Sequence, residues 1–110
     1  MREPLSSLMK VGIVHPMAYP EAACCDELTV RTIQRIAEDE FFGAIEITHV
    51  PDATTRSRVR RVLETSGLAV VYGAQPVILG EGLDLNHQDG EARRKAIRRL
   101  RDCVDEAYEL

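Results

Sequence analysis

The three cysteines, Cys24, Cys25 and Cys103, make no CxxC pair and no spaced ligand series. An odd, unspaced set excludes a disulfide framework and a zinc-ribbon type of site, and a reduced, cytoplasmic compartment is the expectation. Cys24 and Cys25 are neighbours in the chain, so a bond between them would be strained. No apolar run is long enough for a membrane span or a secretory signal, and no membrane partner is expected. Residues 1–8 include Arg2, Glu3, Pro4 and two serines; they read as a flexible N-terminal extension before a single domain over residues 9–110. A basic excess is also missing. The net charge of -4 counts against a nucleic-acid partner, which usually requires positive charge gathered on one face. No low-complexity tract interrupts the chain.

What is there is an alternation of short apolar runs with helical patterns. At 110 residues, 45% hydrophobic and 29% charged, the chain suits one globular domain. Met9 to His15 is a short apolar run containing Gly12 and closed by Pro16, which predicts a first strand with Val11, Ile13 and His15 on one face. Pro16 to Cys25 has two prolines and no period, so a loop is expected. Asp26 and Glu27 favour a helix start, and Val30, Ile33, Ile36 and Ala37 keep helical spacing.

The central stretch is Phe42 to His49. Successive side chains of a strand alternate, so Ile45 and Ile47 share one face while Ala44, Glu46 and Thr48 share the other. Asp52 is a plausible N-cap for a helix through Ser66, with Val59, Val62 and Leu63 inward and Gly67 at its left-handed end. Leu68 to Gln75 reads as the third strand and Pro76 to Gln88 as a long connection. The last helix is expected near Asp89, with Ala96, Ile97, Leu100, Cys103, Val104 and Ala107 on its inner stripe. Three βα units in series predict an α/β fold with a parallel sheet ordered 1-2-3 and right-handed crossovers.

Each strand carries polar groups at or just past its carboxyl end: His15, then Glu46, Thr48 and His49, then Tyr72 and Gln75. Parallel α/β folds place sites there, and this mixture of bases, a carboxylate and hydrogen-bonding groups suits a polyhydroxylated ligand. The alternative is that His15 and Glu46 merely pair with solvent or loop backbone. His15, Glu46 and His49 are also conceivable zinc or manganese ligands. In a continuous strand, however, Glu46 and His49 would face opposite ways, and no metal site is assigned. Arg56, Arg58, Arg60 and Arg61, and the basic residues from Arg93 to Arg101, are interleaved with acids and read as solvated helix faces.

The runs Met9 to Pro20, Ile36 to Thr48, Leu63 to Leu68 and Tyr72 to Pro76 resemble the opening of sugar phosphate isomerases/epimerases of the xylose isomerase-like barrel group. The resemblance covers residues 9–110. It implies three βα units of a parallel (β/α) barrel, a partial TIM barrel, since a complete one requires about 250 residues. It implies carbohydrate chemistry, aldose-ketose isomerisation or epimerisation, on a sugar or sugar phosphate. A divalent metal is expected for the complete family barrel and none for this chain alone, because the family's metal ligands lie mainly on later strands. His15, Glu46 and Gln75 match substrate-side positions, with Asn86 and His87 as loop candidates; no catalytic residue is assigned. The competing expectation is a non-catalytic binding or oligomerisation module that forms a homo-oligomer through its exposed strand edges.

Overall fold

In a computed structural model that describes residues 3–110, the chain is a mixed α/β protein. Its sheet has three parallel strands: β1 (Gly12–Val14), β2 (Ala44–Ile47) and β3 (Ala69–Tyr72). Their order is β1-β2-β3. The α-helices are α1 (Leu5–Leu8), α2 (His15–Ala18), α3 (Asp26–Ala37), α4 (Ala53–Ser66), α5 (Gln75–Gly80) and α6 (Gly90–Glu109), with a 3-10 segment at Pro20–Cys24 between α2 and α3.

The long helices start where a side chain or a charge favours their exposed amides. Asp26 and Glu27 lie in the first turn of α3, against the positive end of its dipole. The Asp52 carboxylate accepts from the Thr55 amide at 2.7 Å and Asp89 from the Ala92 amide at 2.9 Å. Each satisfies a donor that has no partner inside its helix. Gly67 ends α4 at φ 72°, a left-handed conformation that costs a residue without a β-carbon little.

Alternation then divides the sheet. Ile45 and Ile47 are buried against Val30, Ile33 and Ile36 of α3 and Val59 and Leu63 of α4, and Ile13, Tyr72 and Leu110 pack on the same cluster. The opposite face holds Gly12, Val14, Ala44, Glu46, Ala69 and Val71, none of them buried, with Val71 at 52% exposure. Helical cover therefore lies on one face, and β1 and β3 each have one unpaired edge. Parallel sheets ordinarily have both faces covered, so the bare face sets this sheet apart.

Leu5–Leu8 is an exposed helical turn with none of its residues buried. Three expectations are corrected. Residues 16–25 are not an open loop but α2 and the 3-10 segment, because Pro16 and Pro20 sit at the starts of those turns, where a missing amide hydrogen does no harm. The third strand stops at Tyr72, and Gln75 and Pro76 open α5 instead. Ile97 and Val104 of α6 are 38% and 49% exposed, since α6 lies beside an edge strand and no further strand covers that side.

Candidate functional site

A cavity of about 300 Å³ opens at the carboxyl end of the sheet. Its walls come from α2, the 3-10 segment and α3, from residues 47–51 after β2, from α5 and from α6. Much of the lining is apolar, with Pro16, Ala22, Ile33, Ile47, Val50 and Val77 among it. The polar side chains are His15, Tyr19, Thr29, Thr48, His49, Glu81 and Arg99.

Most of those polar groups already have partners. His15 is buried, with Nε2 2.7 Å from Thr32 Oγ1. The Thr32 hydroxyl donates to the Leu28 carbonyl at 2.7 Å, so the histidine nitrogen is the donor and Thr32 the acceptor. Burial pushes the His15 imidazole below its ordinary range, opposed by the negative charge of Glu21. Thr29 Oγ1 donates to the Ala22 carbonyl and Thr48 Oγ1 to the Gly73 carbonyl, at 2.9 and 2.8 Å. Arg99 Nε donates to Glu81 at 2.8 Å. His15, expected at the end of the first strand, instead opens α2 and braces it to α3 while also forming cavity wall.

His49 is held differently. Its Nδ1 is 2.5 Å from Glu106 Oε2, and the other oxygen of Glu106 accepts from the Val50 amide at 2.7 Å. Glu106, on α6, is only 7% exposed. An ionised carboxyl group has only acceptors to offer, so an ionised Glu106 takes the proton of His49 Nδ1 as its donor. The Tyr72 hydroxyl is nearby and, alone among the described residues, is a buried side-chain polar atom with no hydrogen-bond partner. Burial, then the charge of Glu106, pushes its phenol above the ordinary tyrosine range.

The residues singled out from sequence do not converge. His15 lines the cavity, whereas Glu46 projects from the bare face of the sheet and Gln75 is exposed at the start of α5. Asn86 and His87 are exposed beyond α5. His87 Nδ1 accepts from the Asp89 amide and its carbonyl accepts from Arg93, which ties it to the start of α6. Among the described residues, no three His, Cys, Asp or Glu side chains gather as metal ligands. His15 Nε2 is engaged by Thr32, His49 Nδ1 by Glu106, and Glu46 is on the other face. This donor set does not fit a divalent ion. Comparison of the chain with family models, curated proteins and solved structures finds no match.

Sequence reasoning missed Glu106 and Arg99. Glu106 stands three residues after buried Cys103, on the same helical face. An acid in register with an apolar stripe is the signal that would have marked it. Arg99, four residues before Cys103, looked like one more member of a solvated basic run, yet its side chain is only 21% exposed. Cys103 itself is buried as expected, and Cys24 and Cys25 are free thiols. The remaining arginines largely follow expectation, as in the Arg58–Glu27 and Arg60–Glu64 pairs. Among the described residues, no helix is long and apolar enough to cross a membrane.

Proposed function

We propose that this chain is a wall segment of a sugar (phosphate) isomerase/epimerase-type barrel, and that its cavity receives part of a sugar or sugar phosphate. The observation that carries the reading is the one-sided cover of a parallel sheet ordered β1-β2-β3. Barrel walls have this construction: helices outside, an inner face completed by further strands, and ligand groups at the carboxyl ends. The histidines and Thr48 supply hydrogen-bonding capacity for hydroxyls, and Arg99 supplies positive charge for a phosphate. The chain alone is not expected to interconvert sugars. Enolisation requires a base on the reacting carbon and a group that stabilises the developing oxyanion, and the Glu46 carboxylate is not among the groups that line the cavity.

Titration calorimetry with matched free and phosphorylated pentoses and hexoses tests this reading. Phosphorylated members should bind more tightly, and Arg99→Gln should remove that preference. If no sugar binds, or if Arg99→Gln changes nothing, the reading is overturned. Isomerase and epimerase assays with added Mn²⁺, Mg²⁺, Co²⁺ and Zn²⁺ should show no turnover.

A second reading, a non-catalytic module that forms oligomers through its sheet, is favoured by the bare face with Val71 52% exposed and by the two unpaired strand edges. Light scattering separates the two: a monomer at all concentrations removes the oligomer reading, and a defined assembly supports it.

A further inference from the structure

We propose that His49 is the proton acceptor of the cavity, with Glu106 as the residue that positions it. The inference rests on the reading of the cavity as a ligand site and assigns the chemistry within it. His49 lines the cavity. Its Nδ1 is engaged by Glu106, whereas its Nε2 makes no hydrogen bond among the described residues and is absent from the buried unpartnered atoms. Solvent, or a ligand, therefore reaches Nε2. A neutral imidazole with its proton on Nδ1 presents a lone pair at Nε2.

Glu106 determines which nitrogen carries that proton. One of its oxygens accepts from the Val50 amide and the other faces His49 Nδ1. The fixed Val50 amide orients the carboxylate and the carboxylate orients the ring, the arrangement of base and orienter that acid-base sites require. The step is a proton transfer: a ligand hydroxyl or a water gives its proton to Nε2, and its O–H electron pair stays on the oxygen. The resulting imidazolium is held against the Glu106 carboxylate, and no redox partner is involved. Of the seven polar side chains in the lining, His15, Thr29 and Thr48 make hydrogen bonds within the protein, Arg99 gives one N–H to Glu81, and Tyr19 offers a phenol rather than a base. His15 Nδ1 also makes no hydrogen bond among the described residues, but its other nitrogen meets a neutral hydroxyl, whereas His49 is the imidazole backed by a carboxylate.

A purely structural role for Glu106, pinning α6 to the loop after β2, would affect stability but not the tautomer. The test therefore reads the tautomer. In Glu106→Gln, only the amide oxygen can accept from the Val50 N–H, which turns the amide NH₂ toward His49 Nδ1. That donor forces the ring proton to Nε2, so an isosteric change removes the free lone pair. The experiment is ¹⁵N NMR of the imidazole nitrogens in the full chain above the ordinary histidine range, with diethyl pyrocarbonate as the chemical probe and mass mapping of the acylated histidines. The expected result is a bare Nε2 on His49 that is carbethoxylated, with exposed His87 as internal control, and inversion of the tautomer with loss of His49 acylation in Glu106→Gln. A proton on Nε2 in the wild-type chain, or His87 modified with His49 untouched, overturns the proposal; so does a folded Glu106→Gln that leaves the tautomer unchanged. Should Glu106→Gln fail to fold, the wild-type tautomer and acylation decide. Neither readout involves a sugar. Failure of sugar binding with the predicted tautomer removes the ligand class and leaves the base; the reverse removes the base and leaves the ligand class.

Discussion

Oε1 of Glu46 lies 2.5 Å from the point that a β-carbon on Gly73 would occupy. The carboxylate rests across the backbone just beyond β3, and the glycine makes room for it. Gly73→Ala should displace the end of the Glu46 side chain and cost about 0.5–1.5 kcal/mol, the range for a side chain pushed off its rotamer. In a Glu46→Ala background the same change should cost nearly nothing, because the two positions are coupled through one contact. Urea denaturation of the four proteins in this cycle measures it; equal costs in both backgrounds would remove the contact.

His15 makes stability depend on pH. Its folded pKa lies below the ordinary histidine value, so between the two values the unfolded chain binds more protons than the folded one. Stability therefore rises with pH through that window, is fully present above the unfolded value and declines as pH falls below it. Thermal unfolding followed from neutral to mildly acidic pH should show this slope, and His15→Gln should flatten it. An unchanged slope in the variant would assign it to other groups.

Tyr72 offers an inverse test, since its hydroxyl is buried with no partner. A buried polar group without a hydrogen bond costs about 1–3 kcal/mol. Tyr72→Phe keeps the ring on the core and deletes the orphan, so it should leave stability unchanged or raise it by up to about that amount. A clear loss of stability in chemical denaturation would show that the hydroxyl has a partner in solution.

The start of α6 should be similarly measurable. Asp89→Ala deletes the acceptor for the Ala92 amide and should cost about 0.5–2 kcal/mol, the usual range for an N-cap. Asp89→Asn should recover most of that loss. Equal losses in both variants would mean that the carboxylate acts in another way.

The parts of the fold legible in the sequence were those decided by local chemistry. Asp26, Asp52 and Asp89 mark three helix starts, Gly67 marks an end, and the spacing of Val30, Ile33 and Ile36 places the buried face of α3. The alternation across Ile45 and Ile47 orients the central strand. What escaped depended on contacts distant in the chain. Gln75 looked like the end of a strand because nothing local shows that β3 stops at Tyr72, and Pro76 suits the first turn of a helix as readily as a break. Alternation puts Glu46 on the face of β2 opposite Ile45 and Ile47, and only the packing shows that no helix covers that face. His49 has the chemistry of a metal ligand, and Glu106, reaching in from α6, gives it a different setting.

The Glu106–Val50 bond joins residues 56 apart in sequence, whereas each strand pairs only with the strand before or after it. Closing the longer loop carries its own entropic cost, and the cavity wall is complete only when α6 has docked. Partial opening of the protein should begin there. Lifting the end of α6 would release the Val50 amide and unpin the His49 ring while β1, β2, α3 and α4 stayed together, a subglobal opening of the kind that hydrogen exchange resolves. The site is then less stable than the scaffold that carries it, and whatever fills the cavity would tighten the C-terminal helix as well.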